Sequence, residues 1–188
     1  MHLVCFTEER SAKEMLEIVL PKILPNNFSF FVISFEGKSD LDKQIEKKLK
    51  NYQHPDTVFL ILRDQDAAVC TNVKQQLLGK VRNSGKAKVS LVRIACHELE
   101  NFYLGDLSAI EQAFNKTLAS SQASKKFRDV DKLTNAKQIL KRITNKKYQP
   151  ISGSKAITPY LKLNNSNTSV SFNTLLLGIK KLCQRVQS

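Results

Sequence analysis

The chain has 188 residues, 41% hydrophobic and 25% charged, the balance of one folded domain with a small appendage. No apolar run nears the roughly 20 residues of a membrane span. MHLVCFTEER turns acidic too early for a signal peptide. Four cysteines (Cys5, Cys70, Cys96, Cys183) make no CxxC pair, so neither a disulfide framework nor a zinc site is indicated and a soluble, cytoplasmic protein is expected.

Charge is unevenly placed. Residues 1–112 hold 15 basic and 15 acidic side chains. Residues 113–188 hold 15 basic ones against Asp129 and Asp131 alone, and so carry the whole net charge of +13. A neutral front and a basic back point to a polyanionic partner, nucleic acid, met by the back.

The front half alternates two periodicities. His2–Phe6 is a short apolar run, and Ser11–Leu24 carries a helical stripe, with Ser11 as expected N-cap and Glu14 three residues on. Phe28–Phe35 is aromatic and β-branched, a strand. Asp40–Tyr52 sets Leu41, Ile45 and Leu49 on one helical face. Thr57–Leu62 (TVFLIL) is apolar throughout, as a strand covered on both faces should be. Ala67–Val81 reads as helix and Lys88–Ala95 as strand.

This alternation predicts an α/β, Rossmann-like fold with a mainly parallel sheet of about four strands flanked by helices, covering residues 1–118. Residues 119–188 read as a basic, mostly helical extension packed on that core. It begins with a polar segment of mobile character (SSQASKKFRDVD) and continues with helices over Leu133–Thr144, Ser154–Leu163 and Val170–Val186.

Ligands of parallel α/β sheets bind beyond the carboxyl ends of the strands. Three predicted strands end in carboxylates: Glu8 and Glu9 after the first, Asp64 and Asp66 after TVFLIL, Glu98 and Glu100 after the last. Two residues apart in extended backbone, Asp64 and Asp66 fall on one side and repel unless a cation lies between them. Hard oxygen donors in this number favour Mg²⁺, with Mn²⁺ able to replace it. The competing reading makes Asp66 the N-cap of the following helix. HELEN lacks the second histidine of a zincin helix, and VISFEGKS has Val32 where a Walker A needs Gly. Gly37-Lys38-Ser39 before a helix still offers backbone amides and the Lys38 ammonium to a phosphate.

Taken together, TEERSAKEML, EGKSDL, DQDAAVC and RIACHELENFYLGDLSAI resemble an uncharacterised bacterial TOPRIM-like family, related to OLD-type nucleases, over residues 2–114. The resemblance implies Mg²⁺-dependent phosphodiester chemistry. Asp64 and Asp66 would hold the metal and Glu8 would act as acid/base or further ligand, with Glu98 able to complete the shell. Glu36, in the EGKSD segment, competes with Glu8 for that role. Arg63 or Lys38 would stabilise transition-state charge, and Glu100 would orient a neighbour. By analogy with such families, the chain would be a nuclease effector of a phage-defence module, working beside an ABC-type or AAA-type ATPase.

Lys125, Lys126, Arg128, Lys137, Lys141, Arg142, Lys146 and Lys147 are the expected phosphate contacts, with Phe127 and Tyr148 the aromatics among them. A non-catalytic adaptor binding nucleic acid or an ATPase is the alternative, and a nucleotidyl-transfer enzyme the third reading.

Overall fold

The computed structural model describes residues 1–186. Its four strands are all parallel: β1 (His2–Thr7), β2 (Ser29–Ser34), β3 (Thr57–Asp64) and β4 (Ser90–Ala95), in the order β2-β1-β3-β4. Helices α1 (Arg10–Ile23), α2 (Lys38–Lys50) and α3 (Cys70–Asn83) make the crossovers. Beyond β4 follow α4 (Glu100–Leu104), α5 (Leu107–Phe114), α6 (Ala136–Ile143), α7 (Pro150–Ile157) and α8 (Val170–Arg185).

The period of two along each strand sorts the core into two layers. Leu3 and Cys5 of β1 with Val58, Leu60 and Leu62 of β3 face α1 and the later helices. Val4, Phe6, Phe59 and Ile61 face α2 and α3. The expected stripe Leu41, Ile45, Leu49 is fully buried there. Because β3 lies in the middle of the sheet with helices on both faces, it can be apolar along nearly its whole length.

Three details of the front half depart from the sequence-based expectations. Helix α1 begins one residue earlier, so Ser11 lies inside it and its hydroxyl donates to Glu9 Oε1 (2.6 Å) instead of capping. Helix α3 begins at Cys70 behind Val69, so Asp66 does not cap it. Strand β3 runs to Asp64, which puts that carboxylate on the last strand residue.

Residues 119–132 are anchored to the core at a few side chains. The Gln122 side chain accepts from Leu107 N (2.6 Å) and donates to Leu104 O (3.2 Å) and Phe127 O (2.9 Å), while Val130 is fully buried. Val130, Leu140, Tyr148 and Phe172 belong to the same apolar cluster as Leu3 and Leu60. No helix among the described residues is long and apolar enough to cross a membrane.

Candidate active site

From β1 the chain crosses to β2 on one side of the sheet, and from β3 to β4 on the other. The strand order therefore reverses between β1 and β3, and the carboxyl ends of these two neighbours frame the crevice where doubly wound sheets bind ligands. Glu8 leaves β1 and Asp64 ends β3 at this point.

Backbone bonds fix the surrounding loops. Phe35 N donates to Thr7 O (2.9 Å) and Gly37 N to Glu8 O (3.0 Å), which draws the start of α2 over the end of β1. Gly37 has φ 102°, a left-handed value that favours glycine in this turn. Across the sheet, Gln65 N donates to Ala95 O (2.9 Å) and Asp66 N to His97 O (2.8 Å), locking the β3 and β4 loops together. Asp66 and His97 themselves take left-handed φ values of 56° and 60°. Such backbone in non-glycine residues gathers at functional sites.

The carboxylates meet unequally. Glu8 Oε2 accepts from Asp64 N (3.2 Å) and lies 3.7 Å from Arg63 Nε. Burial, then the charge of Asp66, pushes the Glu8 carboxyl up to about 7. Burial, then Glu8 and Glu100, holds Asp64 well above the usual carboxylate range. The Asp64 carboxylate accepts from Leu99 N (3.1 Å).

The extended Asp-x-Asp arrangement expected from the spacing is absent, because the left-handed Asp66 turns the chain. The Asp66 carboxylate pairs instead with Lys38 Nζ at 3.0 Å. Arg63 is buried, its Nη1 3.3 Å from Asp42 Oδ2, and its Nε has no hydrogen-bond partner. Asp42, one turn into α2, had no signal in the sequence.

The other candidates are placed as follows. Glu9 accepts from Ser11 and raises the protonation of both Glu8 and Asp64. Glu36 is exposed, its N–H bonded to Asp40 Oδ2 (3.2 Å), away from these contacts. Glu98 Oε2 accepts from Lys137 N (2.8 Å) and so serves the first turn of α6. Glu100 is buried, with burial raising its protonation, and accepts from the Tyr148 hydroxyl (3.0 Å). Lys137 lies near enough to Glu100 to oppose that rise.

Of the basic candidates, Lys125, Arg128, Arg142, Lys146 and Lys147 are exposed, and Lys126, Lys137 and Lys141 half-buried. Phe127 and Tyr148 are buried, so neither offers a face for base stacking.

Among the described residues, no three His, Cys, Asp or Glu side chains are grouped closely enough to hold a metal ion by themselves. Mg²⁺ asks for less, one or two carboxylates with water and substrate phosphate completing the shell. The donor set at the β1/β3 crevice fits that need. It consists of the hard oxygens of Glu8 and Asp64, whose negative charge is disfavoured by burial and by each other, next to the buried Arg63 guanidinium.

A family model described as a domain of unknown function (DUF4276) matches residues 7–180. The chain belongs to this family. The DUF4276 match takes in every candidate from Glu8 to Lys147, so the acidic crevice and the basic segment lie within one family unit. Comparison with curated proteins returns no match, and neither does comparison with solved structures.

Proposed function

We propose that the protein is a divalent-metal-dependent nuclease of TOPRIM-like type, hydrolysing phosphodiester bonds at the β1/β3 crevice. The observation that carries this reading is the meeting of Glu8 and Asp64, both with raised protonation, at the point where the strand order reverses. Each accepts one backbone N–H, Glu8 from Asp64 and Asp64 from Leu99, yet burial and their mutual charge still disfavour ionising both, a cost that a cation would lower.

Asp64 and Asp66 would hold Mg²⁺ or Mn²⁺. When bound, such an ion supplies charge neutralisation at the phosphate and a more acidic water. The protein's own groups supply the rest. Glu8, titrating near neutrality, suits proton transfer. Water adds to phosphorus, the P–O bond to the leaving sugar breaks, Glu8 hands its proton to the leaving oxygen, and the water's proton passes to solvent. Arg63 Nε, desolvated and without an acceptor, is placed to stabilise negative charge gathering beside Glu8. Lys38, exposed at the start of α2, can meet a non-bridging phosphate oxygen.

The test incubates the wild-type and Asp64→Asn proteins with plasmid DNA and with total RNA, in Mg²⁺, Mn²⁺ or EDTA. Metal-dependent cleavage by the wild type should fall at least ~100-fold in the variant. Equal cleavage by both, or none by the wild type under any condition, removes the catalytic reading and leaves a binding adaptor.

A further inference from the structure

Two cavities flank the start of α7. One, of about 330 Å³, is bounded by Glu9, Arg10, Ser11, Glu36, Gly37 and Pro150, and so reaches Glu9 in the turn after β1. The other, of about 680 Å³, is lined by Gln138, Lys141, Arg142, Asn145, Lys146 and Gln149. Gln149 of the larger and Pro150 of the smaller are consecutive residues, so the two linings adjoin along the chain at this point.

The larger groove presents three cations and three side-chain amides and no carboxylate. Its charge is uncompensated locally. The two acidic residues of the basic half are engaged elsewhere, Asp129 with Lys132 (2.6 Å) and Asp131 with Ser169 Oγ (2.7 Å) and Ser171 N (2.7 Å). Lys126 adds a fourth cation, close enough to Arg142 that, after burial, this neighbour makes its ammonium easier to deprotonate.

The groove is also held in fixed relation to the crevice. At one end of α6 the Lys137 N–H is tied to Glu98, and beyond its other end Tyr148 reaches Glu100. Between them Asn145 and Lys146 take consecutive left-handed φ values of 53° and 63°, turning the chain toward α7.

We propose that this groove binds single-stranded nucleic acid, with the backbone on Lys141, Arg142 and Lys146 and the bases against Gln138, Asn145 and Gln149, and that it leads the strand toward the carboxylate crevice. Only the last clause rests on the nuclease reading. Phosphates are gripped by charge whatever the sequence. Amides make hydrogen bonds to base edges, and the Watson–Crick edges are free only in an unpaired strand. The recessed crevice points the same way: Glu8 is 14% exposed at its side chain, so a phosphate must be brought in on a flexible strand.

The experiment uses the full chain in EDTA, so that binding is read without cleavage. Fluorescence anisotropy follows a fluorescein-labelled 12-nucleotide single strand of mixed sequence, as DNA and as RNA, and the same strands annealed to their complements. Single strands of at least one sugar should bind ~10-fold more tightly than the matching duplex. The double variant Arg142→Glu/Lys146→Glu should weaken that binding at least ~30-fold and flatten its dependence on log salt by about 1.4, two phosphate contacts' worth. Lys180→Glu/Lys181→Glu on α8 makes the same charge change and should cost less than ~3-fold. Gln138→Ala/Gln149→Ala should weaken single-strand binding while leaving the salt slope unchanged. Duplex binding as tight as single-strand binding, or equal losses in the α8 and groove variants, would overturn the proposal. Because every readout is made without metal, the groove can fail while cleavage stands, and the reverse.

Discussion

The two halves of the molecule are built by different means. Residues 2–95 form strands and helices whose apolar spacing settles their faces, and the crossovers are long enough to pack on the sheet unaided. Residues 115–186 contain two helices of only eight residues each, too short to stand alone in water. Its apolar residues join the core on one face of the sheet, and single polar side chains fix its register there. Asn101 donates to Val130 O (2.6 Å) and Leu133 O (2.9 Å), Glu98 accepts from α6, and Asn167 donates to Phe102 O (2.9 Å). The neutral half is therefore a scaffold, and the basic half is a surface that shares its apolar core and is registered onto it by hydrogen bonds with the β4–α4 region.

The sharpest way to break this registration is Gly153→Ala. A Cβ on Gly153 falls within the Tyr148 ring, which is fully buried and has nowhere to move. Overpacking of this kind should cost about 3 kcal/mol, read as a lowered urea midpoint. Tyr148→Phe keeps the ring and loses only the hydroxyl bond to Glu100, so it should cost about 1 kcal/mol. If both halves depend on that contact, Gly153→Ala weakens single-strand binding as well as stability. A variant with normal stability and normal binding would show the halves to be uncoupled.

The acidic side responds to pH in a definite direction. The Glu8 carboxyl is raised in the folded protein to about 7 from an ordinary 4.5, so the folded state holds its proton longer than the unfolded chain. Below pH 4.5 both states are protonated and nothing is lost. As pH climbs from 4.5 to 7 the unfolded state ionises first, and stability falls. Glu8→Gln removes this slope and should be more stable than the wild type by on the order of 2 kcal/mol at pH 7.5, with no difference at pH 4. Thermal melts in EDTA at both pH values check it. Millimolar Mg²⁺ should then raise the wild-type midpoint at pH 7.5 and leave that of Asp64→Asn in place. A variant no more stable than the wild type at pH 7.5 would mean that Arg63 outweighs the burial of Glu8.

Which of these features could be seen in the sequence follows from how each is encoded. Leu41, Ile45 and Leu49 repeat at the helical period, and TVFLIL is apolar without interruption, so α2 and β3 are legible residue by residue. Glu8 and Asp64 are legible as site candidates because strand ends in a parallel sheet converge at one edge. The left-handed backbone of Asp66 is not, since it depends on a bond from Asp66 N to His97 O, 31 residues on. Glu98 reads as a possible ligand because its partner, the Lys137 N–H, is supplied by a distant helix start. Residues 119–132 look mobile for the same reason. Gln122 and Asn101 anchor them through side-chain bonds that have no period, while Val130 and Phe127 are single apolar residues in a polar stretch.

Lys38 gives the smallest effect on stability and the finest resolution of the acidic crevice. Its ammonium meets Asp66 at 3.0 Å, but the two side chains are 55% and 38% exposed, so solvent screens the pair and Lys38→Ala should change stability by less than about 0.5 kcal/mol. The larger consequence is electrostatic and local. The pair offsets the charge of Asp66 and, under the proposed function, would compete with a divalent cation for the same oxygens. Removing Lys38 should therefore tighten Mg²⁺ binding several-fold by isothermal titration, while slowing cleavage if the ammonium meets phosphate in the transition state. Weaker Mg²⁺ binding would mean the opposite arrangement, in which Lys38 orders the left-handed Asp66 loop and the metal depends on that order more than it suffers from the charge.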